Sequence, residues 1–320
     1  MKVLAWHVHG SWMNAFVRGP HTYVLPTLPE GGPWGLGRAG RPWPDNVVEA
    51  GEAELADTDV DIVVLQRPEE IERAERLLGR KPGRDVPAVF VEHNTPLGNV
   101  PDTRHPLADQ SEIPIVHVTH FNQLCWDSGQ APVMVIPHGV PDPGEQYTGS
   151  VERAAVVINE PVRRGRRTGT DLLPAFSRAA PLDVFGMGLD GLGDHLGLGP
   201  DRLRPVGDLP MGDLHRELAS RRLYLHTARW TSLGLSLLEA MLLGMPVVAL
   251  ATTEAAVTVP KQAGFAATDV GALTTAVREL IADPELARSA GKAAREHALA
   301  NHGLDAFLHN WETLFGRVVA

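Results

Sequence analysis

At 320 residues the chain is longer than one typical domain and fits two of about 150 residues each, with an ordinary 43% of apolar and 21% of charged residues. A net charge of −10 argues against nucleic-acid binding. Residues 1–150 hold 11 Lys and Arg against 20 Asp and Glu, which argues against adhesion to anionic lipid by charge. The lone Cys125 excludes an internal disulfide and fits a reducing compartment. No stretch approaches the ~20 apolar residues of a membrane-spanning helix, and the first residues run into a strand without a leader layout, so a cytoplasmic protein is expected. An excess of Arg over Lys, with abundant Ala, Gly and Pro, hints at a GC-rich bacterial genome.

Lys2 to Val8 reads as a short apolar strand, and His9-Gly10-Ser11-Trp12 opens a glycine turn into a helix ending near Val17. Strand, glycine, helix is the first βα unit of a doubly wound domain, in which ligands sit at the carboxyl edge of the sheet. From Gly19 to Pro44 the chain is rich in Gly and Pro with little periodicity, and a long surface loop pinned by Trp34 and Trp43 is expected. Asp61 to Leu65 has the continuous apolar run of a buried parallel strand. The spacing of Ile71, Ala74, Leu77 and Leu78 predicts an amphipathic helix over Pro68 to Lys81. Val86 to Val91 is the next strand and ends in Glu92-His93-Asn94-Thr95, a polar cluster where site residues of such sheets gather. Strands follow at Ile113 to Val118 and Pro132 to Ile136, then a polar, proline-containing linker from Pro141 to Gly149. A first domain over residues 1–143 is expected.

The second domain, residues 150–304, opens with a strand at Ala154 to Ile158. Four arginines in five positions follow, Arg163, Arg164, Arg166 and Arg167, placed before an expected helix N-terminus where they suit a diphosphate-like anion. Strands at Leu182 to Phe185, Leu203 to Gly207 and Leu223 to His226, with a helix at Met211 to Ala219, repeat the βα unit. In the stretch Arg229 to Leu250, Leu235, Leu237, Leu238, Met241 and Leu242 recur at helical spacing, Gly244 stands just past the helix end, and Val247 to Leu250 is a buried strand. The loop Thr231-Ser232-Leu233-Gly234 presents the helix N-terminus, with its unpaired N–H groups and positive dipole end. Glu239 lies little more than a turn inside this apolar helix, either on an exposed face or turned to a ligand. A strand near Gly264 and helices at Val270 to Ala282, Glu285 to Ala300 and Asp305 to Val318 complete the chain. No spacing fits a Ser-His-Asp triad, a Cys and His metal site or a P-loop.

The run from Gly234 to Val248, Gly-Leu-Ser-Leu-Leu-Glu-Ala-Met-Leu-Leu-Gly-Met-Pro-Val-Val, resembles the donor-site signature of the family 4 (group 1) glycosyltransferases, retaining enzymes of the GT-B fold. The fold class that this resemblance implies is α/β, with two Rossmann-like doubly wound domains facing a central cleft. The implied reaction is transfer of a hexosyl-type group from a nucleoside diphosphate sugar to an acceptor hydroxyl, with retention, no metal and no cofactor beyond the sugar nucleotide. In the family pattern two glutamates separated by seven residues frame the site. The second maps onto Glu239, a ribose contact, and the first onto Thr231, a departure that bears on the contacts to the donor sugar. Thr231, Ser232, Leu233, Gly234 and Leu235 would line the donor, and Gly10 would approach its diphosphate. Gly169 and Asp171-Leu172-Leu173 match the family pattern, but Thr168 stands where a Lys is expected, so Arg163, Arg164 and Arg166 are expected to supply the charge.

By the same resemblance His93 lies near the centre of transfer, with Arg163 and Arg166 as the catalytic cations. His9, Trp12 and Asn94 fall on the acceptor side, in the first domain. Pro137-His138-Gly139-Val140 resembles the family's Pro-Asn-Gly-Val at that domain's end, and the last helix, residues 305–320, would cross back to it. The partners implied are a nucleotide sugar and an acceptor of unspecified kind, a glycan, a lipid-linked sugar or a small molecule. Thr231, Thr168 and Ala228 keep open a catalytically inactive nucleotide-sugar-binding module or partner subunit, and a nucleotide-sugar epimerase that needs no acceptor.

Overall fold

Short runs rich in Val, Ile, Leu and Ala, most of them followed by a turn and a helix, build the strands of this protein, and all strand pairs are parallel. The computed structural model describes all 320 residues, which form two units, Met1–Pro141 with Leu304–Ala320 and Asp142–Gly303.

The first unit holds seven strands, β1 (Lys2–Ala5), β2 (Thr22–Pro26), β3 (Val47–Ala50), β4 (Ile62–Leu65), β5 (Ala88–Glu92), β6 (Ile115–His117) and β7 (Val133–Val135). Their order is β3-β2-β1-β4-β5-β6-β7, so the winding reverses between β1 and β4, where Val3 pairs with Ile62 and Ala5 with Val64. Such a reversal leaves a crevice at the carboxyl ends of the two strands. Here those ends lead into Trp6–Gly10 and Gln66–Arg67. Leu4, Trp6, Val63, Leu65, Phe90 and Ile115 fill one core, each fully buried large side chain contributing roughly 1.5–3 kcal/mol.

Two expectations are corrected here. The first strand stops at Ala5, so residues 6–9 belong to the carboxyl edge and not to the ladder. The stretch Gly19 to Pro44 is not one long loop, because Thr22–Pro26 is a buried strand lying between β1 and β3. The remainder is held close to the sheet by a bridge between Thr27 and Leu36 and by Arg38, which donates to the carbonyls of Val47 and Trp43. The helix Leu304–Val318 belongs to this unit, where Trp311 packs against Trp12 and Phe16 at ring distances of 5.8 and 5.0 Å.

The second unit holds six strands, β8 (Val151–Val157), β9 (Leu182–Phe185), β10 (Leu203–Gly207), β11 (Arg221–His226), β12 (Val247–Leu250) and β13 (Gly264–Ala267), in the order β10-β9-β8-β11-β12-β13. The reversal lies between β8 and β11, and the carboxyl edge there is made of the segments after Val157 and His226. The helix Leu235–Leu242 connects β11 to β12, turning at Gly244 with φ 87°. The helix Pro284–His302, capped by Asp283 through the N–H groups of Glu285 and Leu286, packs on it so closely that a Cβ on Gly291 would stand 1.9 Å from the carbonyl oxygen of Gly244.

Candidate active site

In the second unit the helix Leu235–Leu242 starts at Gly234 in extended backbone, with no side chain capping it. The carbonyl of Gly234 takes the N–H of Leu237, which leaves the preceding N–H groups as donors at the positive end of the helix dipole. Ser232 and Leu233 are buried beside that end, while Thr231, Gly234 and Leu235 are half-buried. A Cβ on Gly234 would stand 2.9 Å from Cε1 of His226, so the loop rests on this imidazole. Burial lowers the His226 pKa to about 4, which keeps the ring neutral near pH 7. Glu239 is turned inward and only 9% exposed. Its Oε2 lies 3.8 Å from Nε2 of His215, and the neighbouring Tyr224 hydroxyl bonds Oγ of Ser236 at 2.9 Å. Burial foremost, with the charge of Glu239 adding to it, pushes the Tyr224 phenol up.

The arginine-rich segment meets the same loop, since the N–H groups of Arg229 and Trp230 both donate to the carbonyl of Arg167 at 3.0 and 3.2 Å. Its arginines do not stand ahead of a long helix. They lie within one helical turn, Pro161–Arg164, and a 3-10 turn, Gly165–Thr168, because Gly165 and Gly169 adopt positive φ and break the helix. Arg163 pairs with Glu160, and Arg166 bonds Oδ2 of Asp171 at 2.8 Å, a carboxylate also gripped by Arg229 at 2.5 and 3.0 Å. Arg163 and Arg166 are 72% and 76% exposed, so water screens these pairs. Arg164 and Arg167 pair with no carboxylate, and desolvation, then the charges of Arg167 and Arg163, lowers the Arg164 pKa. An anion bound there would relieve that repulsion. Thr168 is buried, its hydroxyl bonded to the Gly165 carbonyl and to Thr170, so it belongs to the framework.

In the first unit Glu92 closes β5 and accepts from the N–H of Asn94 at 2.7 Å and faces Nε2 of His105 at 3.1 Å. The Asn94 carbonyl accepts from the Trp126 indole at 2.8 Å, which fixes the turn and leaves the Asn94 side chain exposed. His93 is buried, 4.1 Å from the His9 ring and edge-on to Trp12 at 5.0 Å. Burial foremost, then the nearness of His9 and His138, holds the His93 pKa well below 6.5, and burial and Arg67 bring His9 to about 4. Both rings are therefore neutral at pH 7, able to accept or donate one hydrogen bond but not to act as standing cations. Trp12 is 2% exposed and stacked on Phe16, so it backs His93 and offers no face for a ligand.

Residues 195–297 match the family model described as glycosyl transferases group 1. No curated protein is a sequence match. Sucrose-phosphate synthase from Thermosynechococcus elongatus is similar in structure, 15% identical over 99% of this chain and 98% of that one, with a TM-score of 0.72. A glycosyltransferase from Rickettsia africae gives 13% over 99% and 98%, TM-score 0.73. Anabaena HepE, solved in complex with UDP and glucose, gives 15% over 98% and 99%, TM-score 0.73. The chain has the GT-B fold, and one segment of it matches the group 1 glycosyltransferase model. Within the GT-B fold the matched segment takes in the loop at 231–235, Glu239, His215 and His226, and leaves out Gly10, His93 and the arginine run.

Sequence reasoning passed over Arg229, His215 and Tyr224, and in the first unit Arg41 and Arg67. Arg229 had a local signal, a cation two residues ahead of Thr231 at the mouth of the loop. His215 had none, because its approach to Glu239 depends on how two helices pack. No group of three or more His, Cys, Asp or Glu side chains is arranged to hold a metal ion, and no helix is long and apolar enough to cross a membrane.

Proposed function

We propose that the chain transfers a hexosyl group from a nucleoside diphosphate sugar to an acceptor hydroxyl with retention and without a metal, the second unit holding the donor and the first the acceptor. The observation that carries this reading is Glu239, a carboxylate buried just behind an uncapped helix N-terminus in the family-matched segment. Ribose hydroxyls donate to Glu239, and the free N–H groups after Gly234 with Arg164 and Arg167 take the diphosphate. As the bond from the anomeric carbon to the diphosphate oxygen breaks, the acceptor oxygen bonds to that carbon from the same face, and the acceptor's proton passes to the leaving phosphate. Negative charge builds on the leaving oxygen, so cations fixed there lower the barrier more than they aid binding of the donor. Neutral His93 accepts a hydrogen bond from a sugar hydroxyl at the centre of transfer. The sugar nucleotide is consumed as co-substrate, and a single cysteine fits the reducing, cytoplasmic setting of this reading.

The test is a thermal-shift panel of nucleoside diphosphates and their sugars on wild type and Glu239→Ala, starting with UDP and UDP-glucose because HepE was solved with UDP and glucose. A ligand at ~100 times its Kd adds roughly 2.7 kcal/mol. One base should stabilise wild type, and the variant should lose most of the effect. If no nucleotide shifts the melting point, the reading fails.

A second reading, a nucleotide-sugar-binding module without turnover, is favoured by Thr168, whose hydroxyl is committed to the framework, by Arg163, paired with Glu160, and by Arg166, tied to Asp171, which it shares with Arg229. Such a module binds nucleotide but releases none from the sugar nucleotide, even slowly into water. An epimerase would release nucleotide and an altered free sugar without any acceptor.

A further inference from the structure

Two guanidinium groups flank the turn after β1. Arg41 lies against Gly10, where a Cβ would stand 2.6 Å from its Nη2, and its side chain pairs with no carboxylate. Arg67 leaves the end of β4, on the other strand of the switch point, and its charge bears on His9 as that of Arg41 bears on His7. Its Nε donates to Oε1 of Glu70 at 2.7 Å, and Glu70, fully buried, also takes the N–H of Gln66 at 2.6 Å. The ring of Trp34 lies 3.9 Å from the Arg67 guanidinium and 4.3 Å from that of Arg73. Arg67 is thus fixed on one edge, while its Nη2 is shielded from water and meets no acceptor. A desolvated guanidinium N–H without an acceptor is costly unless the working state supplies one. The surrounding residues 1–150 carry 20 acidic against 11 basic side chains, so paired cations at the ligand-binding edge are not the general character of this surface.

We propose that the acceptor carries an anionic oxygen group, a phosphate monoester or a carboxylate, and that Arg41 and Arg67 hold it over Gly10, a glycine that the family resemblance gives to the donor diphosphate and that this proposal gives to the acceptor instead. This rests on the transferase reading and names its acceptor class. Both oxygen groups match the fork of a guanidinium, and Gly10, lacking a Cβ, lets the group and Arg41 approach the backbone together.

Calorimetry tests it with inorganic phosphate, a hexose 6-phosphate, a hexuronate and the free hexose, each with the nucleoside diphosphate chosen by the thermal panel at saturation. Wild type should bind one of the two sugar anions at least tenfold more tightly than the hexose, and the sugar phosphate against the hexuronate tells which group is read. Arg41→Gln should weaken that anion at least tenfold. Gly10→Ala, which pushes the guanidinium aside without removing its charge, should weaken it as well. Arg67→Gln adds a third comparison, and because Arg67 also ties Glu70, Arg41→Gln keeps the test decisive if that variant fails to fold. The proposal is overturned if the hexose binds as tightly as both anions, if no anion binds, or if Arg41→Gln leaves anion binding unchanged. It is also overturned if Arg41→Gln costs nucleotide affinity instead, which would put Arg41 at the donor. Failure of the transferase reading shows separately, as wild type that binds no nucleotide whatever the anions do.

Discussion

Glu239 and the arginines show how a side chain's neighbours set what it can do. Glu239 has no Arg or Lys in ion-pair contact, so its oxygens are left for hydroxyl donors. Replacing it by Gln keeps the shape and weakens the acceptor. Glu239→Gln should reduce nucleotide affinity by about 5–30-fold, the span expected for one charge-assisted hydrogen bond of about 1–2 kcal/mol, and Glu239→Ala at least as much, both read by calorimetry. Among the arginines, charge alone does not rank them. Arg163→Gln removes a cation that Glu160 already cancels in exposed surface, and kcat/KM should fall less than threefold. Arg164→Gln removes one held in no ion pair, and kcat/KM should fall at least tenfold with the donor. Equal effects of the two substitutions would defeat this ranking. The arginine run and Glu239 were legible in the sequence as residues of interest. Which arginine keeps its charge was not, because Glu160 and Asp171 come into contact with Arg163 and Arg166 only through the turns set by Gly165 and Gly169.

At the level of elements, the helix Leu235–Leu242 and strands β4 and β5 were legible because their apolar pattern, turn residues and burial all agree. Strand β2 was not. Tyr23, Val24 and Leu25 are a short apolar run between prolines, and only the ladders to β1 and β3, from distant parts of the chain, make it a strand. The contact between the helices Leu235–Leu242 and Pro284–His302 was equally invisible, for the role of Gly291 depends on the carbonyl of Gly244 in front of it. That carbonyl is backbone and has little room to yield. Gly291→Ala should therefore destabilise the second unit by about 1–3 kcal/mol, although alanine is the better helix former, and a melting point at or above wild type would show that the helices can separate without loss.

On the scale of the whole molecule, buried imidazoles make the fold sensitive to acid. Burial holds His9, His117 and His226 to about 4 in the native protein, against 6.5 when unfolded. Between those values the unfolded chain binds more protons, so stability falls as pH drops from 6.5 towards 4 and gains nothing further from these groups above 6.5. Melting points should be level from pH 7 to 8 and lower at pH 5, and a profile that rises on acidification would contradict the burial of these rings. The last helix adds a dependence of another kind. Trp12, which backs His93, and Phe16, stacked on Trp12, are covered by Trp311, with Phe315 also against Phe16, more than 290 positions later in the chain. A chain ending at Gly303 should keep a second unit that binds nucleotide, while limited proteolysis cuts the first at rates well above those of the whole protein. During synthesis the order follows from the same arrangement: most of the first unit emerges ahead of the second and is completed only after it, so the aromatic floor beneath His93 waits on the helix Leu304–Val318.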